Sequence, residues 1–405
     1  MSSLAIKIRK GSLYEFVLVL LFVANICFYT LETMTLFLEI TLLAIVLGAY
    51  AVVKNADIRR IHFHPCVAWL ILIYGIFTYN GLFRLRHGTY NWDMMLYTCV
   101  ENIIIYFLFI KILSLEQWEQ SIARVAVATL VLSLVILFFN EAPALKSGGI
   151  RIGDSLSGNV NVFGASLGIM SVFLSYVCQK KNSFWHWLLF AVVASVMLLT
   201  GSKMTVIVLM VDLLFFMENS DHKLRTFFLV LIAGLGLLLL IFSVPRFYQI
   251  IGFRIEDMIS QMFHIGRGGF SNSTMKREIM IKEGFEFFWN HPIFGGGEKY
   301  FGSLTSTIYD YSHCNYIELL CNFGLVGFCV YYLPVFVVLL RAGLSPHFEV
   351  KLSNLVRMLL LARLILDWMM MTHSEPCVGY VPMLFSFAYA YLMKKKYMEY
   401  KYVKN

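Results

Sequence analysis

The chain has 405 residues, of which 59% are hydrophobic and only 14% charged, with a mean hydropathy of +0.72. A soluble globular domain carries about 25% charged residues, so this composition excludes one and leaves a polytopic membrane protein. The formal net charge of +8 suits anionic lipid headgroups and carries no argument for nucleic acid.

A helix needs roughly 17 to 25 apolar residues to cross about 30 Å of hydrocarbon, and only closed hydrogen bonding is tolerated there. Such stretches recur from end to end. The predicted spans are 13–32, 34–53, 65–82, 93–113, 121–140, 160–178, 184–200, 203–217, 226–244, 315–340, 352–372 and 378–393. The stretch 203–217 is the weakest, being short and carrying Asp212. Lys and Arg give the expected orientation. With the N terminus inside, Lys7, Lys54, Arg59, Lys111, Lys180, Lys223, Arg341, Lys351 and the Lys-rich tail all fall on the cytoplasmic side, as the positive-inside rule requires. Both termini are then cytoplasmic, and 245–312 is an external loop. Long loops translocate regardless of charge, so its seven Lys and Arg are no contradiction. No small-residue cleavage site follows the first span, which reads as a retained anchor. Residues 1–405 read as one integral membrane domain. The eight Cys show no CxxC spacing and mostly fall within spans, where a thiol is a small apolar group. Cys314 and Cys377 are the two that this topology brings to one face.

The polar segments follow in order. The loop 83–92 carries Arg84, Arg86 and His87 beside Tyr90 and Trp92. It reads as an aromatic interfacial belt with snorkelling arginines, which should tolerate substitution. After Lys146 comes Arg151, then a Gly/Ser turn and Asn159-Val160-Asn161 at the entry to a span. Thr200-Gly201-Ser202-Lys203 places a cation between two spans. Phe247, Ile250, Ile251, Ile255, Met258, Ile259 and Met262 have the spacing of an amphipathic helix. A glycine-rich stretch with Arg267 follows, then a helix over 275–290. That helix is expected to bury Ile279, Phe285, Phe288 and Trp289 and to turn Lys276, Arg277, Lys282, Glu283 and Glu286 elsewhere, ending at Asn290-His291-Pro292. Gly295-Gly296-Gly297-Glu298 lacks the Lys-Ser/Thr of a Walker loop. Its glycines allow a close approach to a ligand and its amides can hold an anion, while a plain tight turn fits equally. His313 and Asn315 stand at the entry to a span containing Glu318, Gly324 and Gly327.

One His among several cations, with no metal-ligand pattern, points to a particular chemistry. Arg forks and Lys charges bind pyrophosphate and stabilise it as it departs. A His of near-neutral pKa takes a proton from a sugar hydroxyl. Together these describe glycosyl transfer from a lipid pyrophosphate.

The order of these motifs over 151–332, with Arg151 before an Asn-x-Asn entry, Thr-Gly-Ser-Lys, Arg277 and Trp289 before Pro-x-x-Gly-x-Gly, and His313-x-Asn315 before a Gly-x-x-Gly span, resembles the O-antigen ligase and Wzy polysaccharide polymerase superfamily. Lys203 stands where that superfamily usually has Arg, and no proline separates Asn159 from Asn161. The resemblance implies an all-α, GT-C-like membrane fold and metal-independent glycosyl transfer without a cofactor. It further implies a location in the bacterial cytoplasmic membrane and action on undecaprenyl-pyrophosphate-linked oligosaccharide at its outer face. Membrane lipids, a flippase and a chain-length regulator are the implied partners. By the same resemblance His313 and Glu298 are the catalytic candidates, and Arg151, Lys203, Arg267 and Arg277 hold pyrophosphate. Asn161, Asn315, Gly295 and Gly297 support them. The short length and basic tail favour a polymerase over a ligase acting on lipid A core. A glycolipid flippase is the reading from another class: Glu39, Glu101, Asp212, Arg363 and Asp367 would then line a path through the bundle. Arg363 and Asp367 also fit a self-satisfied i, i+4 pair.

Overall fold

The computed structural model describes residues 11–28, 34–54, 64–86, 88–146, 151–153, 156, 159–253, 255–256, 272–306, 310–344 and 350–404. Its regular structure is helical, and no strand occurs among the described residues. The helices are α1 (Ser12–Cys27), α2 (Met34–Lys54), α3 (Pro65–Phe83), α4 (Trp92–Leu113), α5 (Trp118–Lys146), α6 (Val160–Lys181), α7 (Phe184–Leu199), α8 (Lys203–Glu218) and α9 (Lys223–Ser243). After them come α10 (Asn272–Asn290), α11 (Tyr300–Leu304), α12 (Asn315–Leu344), α13 (Val350–Met369) and α14 (Val381–Lys404), the last preceded by a π-helical turn, Pro376–Tyr380.

Every predicted span coincides with a helix over its described residues. Among the described residues, eight helices are long and apolar enough to cross a membrane: α2 to α6, α9, α12 and the segment Pro376–Lys394. The apolar α1 and α7 are shorter. The protein is an all-α, polytopic membrane protein. Helix α8 is short and α13 carries Arg363 and Asp367, so both depend on neighbours rather than on their own hydropathy.

The bundle closes around α6. Its apolar window is 94% buried, against 7% for α9, which makes α6 the hub and α9 a peripheral helix. Small residues make this possible: a Cβ added at Gly164 would meet Thr205 at 2.4 Å, and one at Gly168 would meet Val208 at 2.9 Å. Where lipid is as apolar as the side chains, such close packing is what holds helices together. α5, α7, α8 and α13 all pack against α6.

Buried charges are satisfied inside the bundle. Asp212 accepts from Ser171 and Ser175, both at 2.6 Å, and Glu101 accepts from Asn25 at 2.7 Å. Arg363 and Asp367 form the expected i, i+4 pair at 3.2 Å, both fully buried. Asp367 also accepts from Tyr332 at 2.8 Å, and Arg363 donates to the Gly379 carbonyl at 3.0 Å.

Two features depart from expectation. Helix α10 turns a different face inward: Met280 and Phe288 are buried and Gly284 is covered, while Phe285 and Trp289 are exposed and Ile279 stands at the margin. The cause is Gly284. It lies flat on α12, where a Cβ would strike Ile317 at 2.1 Å, and its carbonyl accepts from the Cys321 thiol at 3.0 Å. The close contact sets the rotation of the helix, and the exposed aromatics suit a membrane interface. The second departure is α12, which is not continuous. Gly324 has φ 67° and ψ −168°, and the amides of Leu325 and Val326 turn to the carbonyls of Pro292 (2.9 Å) and Ile293 (3.1 Å). All eight cysteines are free, Cys314 and Cys377 included.

Candidate functional site

The break in α12 receives the glycine loop. The Gly295 amide donates to the His291 carbonyl at 2.9 Å, Gly296 to Cys321 at 2.8 Å and Gly297 to Asn322 at 3.0 Å. These three glycine amides are therefore engaged by protein carbonyls and are not turned to an anion. The glycines serve a close backbone approach instead. A Cβ at Gly295 (φ 68°) would lie 2.4 Å from the Asn322 backbone, and one at Gly297 (φ 108°) would lie 2.1 Å from the Arg84 carbonyl.

From the other side the loop is clasped by two arginines. Arg84 donates to the carbonyls of Phe294 (3.1 Å) and Gly295 (2.6 Å) and to Asn80 (3.2 Å). Arg86 donates through Nε to the Gly296 carbonyl at 2.6 Å and through its amide to the Glu298 carbonyl at 3.1 Å. The two arginines therefore do more than snorkel: the Arg84 fork is matched to two loop carbonyls, and Arg86 adds one side-chain hydrogen bond. Lys299 completes the tie by donating to the Thr89 carbonyl at 2.8 Å.

This clasp holds Glu298 in the wall of a cavity of about 610 Å³ between α2, α3, α4 and the loops before and after α12 and α13. Glu318, Asp310, Tyr311, Tyr90, Lys299 and His373 share that wall. Burial and the neighbouring Glu318 push the Glu298 carboxyl up to about 7, against the opposing pull of Lys299. Glu318 is buried and holds the loop ahead of α12, accepting from the Ser312 amide at 2.8 Å and from Asn322 at 2.9 Å.

His313 stands at the edge of this cavity. Its ring lies 4.3 Å from that of Tyr311, which lines the cavity, and its backbone is left-handed with φ 53°. That conformation is rare for a non-glycine residue and marks a constrained site. Burial and the Arg277 cation hold the His313 imidazole down to about 4, so the ring is neutral at pH 7. The rotation of α10 that buries Met280 and Gly284 also makes Arg277 half-buried, one turn away on the same side.

The second cluster lies where α6 begins. Arg151 donates through Nε to the Thr200 carbonyl at 2.7 Å and through Nη2 to Asn161 at 3.3 Å. Asn159 caps α6 by accepting from the Asn161 amide at 3.0 Å, so each asparagine has its own task. Lys203 opens α8 directly after the Thr200 turn, half-buried. Arg151, Asn161 and the Thr200–Lys203 turn are therefore brought together as their sequence pattern suggests. Arg267 lies outside the described residues. Asn315 is fully buried and reaches Tyr332 (2.8 Å) and His373 (2.7 Å) rather than His313. His373 is the member that the sequence motifs do not reach; no local pattern marks it, because its partner Asn315 comes from α12. Among the described residues no group of three or more His, Cys, Asp or Glu is placed to hold a metal ion.

Residues 187–332 match the family model described as O-antigen ligase, a segment running from α7 into the first half of α12 and containing the glycine loop, Arg277, Glu298 and His313. No curated protein matches the chain.

Proposed function

Taking the chain as a member of the O-antigen ligase and polymerase superfamily, whose members are membrane glycosyltransferase-like enzymes acting on lipid-linked glycans, we propose that it is a polysaccharide polymerase. It transfers a growing glycan from undecaprenyl pyrophosphate to the next lipid-linked repeat unit on the outer face of the cytoplasmic membrane. The observation that carries this reading is the meeting of Arg277, His313 and Tyr311 at the edge of the Glu298 cavity, all within the family segment.

In this reading the acceptor hydroxyl oxygen attacks the anomeric carbon of the donor glycan. The bond from that carbon to pyrophosphate breaks, and its electron pair leaves with the phosphate. Arg277, Arg151, Lys203 and Arg267 hold the departing charge. His313, neutral at pH 7, receives the hydroxyl proton. Glu298, held in the cavity wall with a pKa pushed up to about 7, hydrogen-bonds an acceptor hydroxyl and orients it for attack. Arg84 and Arg86 position Glu298 without touching substrate. The flippase reading is disfavoured by the buried charges, because Asp212, Glu101 and the Arg363–Asp367 pair have partners within the bundle.

The test is purified protein with undecaprenyl-pyrophosphate repeat units and gel separation of the products. A ladder supports the polymerase. A single transfer to lipid A core makes the protein a ligase, and translocation across liposomes without a new bond makes it a transporter.

A further inference from the structure

The side chain of Asn315 determines the chemistry that His373 offers. Its Oδ1 receives two main-chain N–H groups, from Thr372 at 3.1 Å and His373 at 3.0 Å, while its Nδ2 donates to Tyr332 at 2.8 Å. Those partners set the amide orientation, since only the oxygen accepts. The His373 Nδ1 lies 2.7 Å from the same Oδ1, so Nδ1 must carry a hydrogen. The tautomer is thereby fixed. Nε2 is left with a lone pair and no proton to give.

His373 is 5% exposed, its ring flanked by Phe77 and Phe323 with centroids at 5.4 and 6.3 Å. Among the described residues His373 makes its side-chain hydrogen bond through Nδ1 and none through Nε2, and the residue lines the Glu298 cavity. Nε2 is not among the fully buried unpartnered atoms, so it is an acceptor open to the cavity, where a ligand hydroxyl can supply the donor.

The other walls say which ligand. In the lining Glu298, Glu318 and Asp310 outnumber Lys299, so the cavity interior does not suit a phosphate, and Arg277, the cation at its edge, is not part of the lining. Carboxyl oxygens accept hydroxyl hydrogens as Nε2 does. Tyr90 and Tyr311 supply flat apolar faces. A cavity of about 610 Å³ is within the usual range for a small organic ligand. We propose that this cavity is a neutral-sugar subsite for the acceptor glycan, in which one sugar hydroxyl donates its hydrogen bond to Nε2 of His373 and Asn315 acts as the positioning residue. The proposal rests on the glycosyl-transfer reading and assigns His373 to binding, apart from the proton transfer given to His313.

The experiment uses the full-length protein in lipid nanodiscs. The probe is the carrier-free repeat-unit oligosaccharide released by mild acid from the source strain's own surface polysaccharide. Saturation-transfer NMR should show it bound to the unaltered protein. His373→Phe, which keeps the ring size and loses the acceptor, should weaken binding about ten-fold, the share of one hydrogen bond to a buried group. His373→Gln, which keeps an acceptor oxygen, should recover part of it. Undecaprenyl pyrophosphate alone should bind all three forms equally. In the polymerisation assay His373→Phe should raise the acceptor KM about ten-fold with kcat within about three-fold. Should His373→Phe fail to fold by thermal melt, the same comparison is read from His373→Gln and from acceptors lacking single hydroxyls. Unchanged oligosaccharide binding in His373→Phe overturns the subsite, as does a fall in kcat with KM unchanged. Binding of the oligosaccharide by a protein that makes no polymer would leave the subsite standing and overturn the polymerase. A polymer ladder with an unmoved acceptor KM in His373→Phe would do the reverse.

Discussion

His313 takes part of its character from Arg277. Burial and the Arg277 cation hold the imidazole down to about 4, so it is neutral at pH 7 but a weaker base than the near-neutral His that residue type alone suggests. Arg277→Ala is expected to abolish transfer with protein level unchanged, and Arg277→Lys to recover little because Lys lacks the planar fork. Full activity in the Lys variant would make Arg277 a structural residue. His313→Ala should lower the rate by roughly 10² to 10⁴ while the lipid-linked repeat still binds, measured by single-turnover kinetics and by co-purified lipid. A ladder like that of the unaltered protein would move the base to another residue. Glu298 gives a stability test. Its folded pKa of about 7 lies above the ordinary carboxyl value of 4.5, so the fold favours the protonated form. As pH rises between these values the unfolded chain loses its proton first, and stability falls through that window, with the deficit complete above about pH 7. Glu298→Gln mimics the protonated group. Its melting temperature should exceed that of the unaltered protein at pH 8, and the two should converge at pH 5. Equal melting temperatures at both values would place Glu298 in an ordinary aqueous environment.

The glycine loop and α12 form one device. A helix broken at Gly324 offers the carbonyls of residues 321 and 322 and takes those of residues 292 and 293 in return, so neither segment has its hydrogen bonds complete alone. Gly324→Ala would place a Cβ 2.4 Å from the Gly295 amide and the Ile293 carbonyl, at a φ of 67°. Strain of that kind costs on the order of 1 to 3 kcal/mol. The variant should melt lower and lose activity together, with both losses read on the same preparation; a normal melting temperature would show that the break is not needed. Arg84→Ala, expected from the loop reading to be harmless, should also impair transfer, because the two fork hydrogen bonds to the loop carbonyls of Phe294 and Gly295 are lost. The face that α10 buries was misread for a related reason. Large aromatics at 285 and 289 looked like core, yet the residue that packs is Gly284, because it alone permits contact with Ile317. The same rotation carries Arg277 inward.

Across the whole molecule, orientation is the property most open to direct test. From the distribution of Lys and Arg we propose that α10 lies outside the cell. Glu286 is exposed on that helix, so a cysteine there, in a background lacking the eight native ones, should react with an impermeant reagent in intact cells. Reaction only after permeabilisation would reverse the topology. Hydropathy determined where the helices lie, eight of them among the described residues long and apolar enough to cross a membrane, because in hydrocarbon a backbone must close its hydrogen bonds locally and length follows from thickness. The order of Arg151, Lys203, Arg277, Glu298 and His313 was equally legible, since residue type and spacing along a chain survive without coordinates. Tertiary structure alone decided which of these meet. It joined Arg151 to Thr200 across 49 positions of chain, engaged the glycine amides, turned Arg84 into a clasp, and bound His373 to Asn315 across 58 positions. Contacts of that kind depend on helix rotation and on where a helix breaks, and those are set by close approaches at single glycines that leave no period in the sequence.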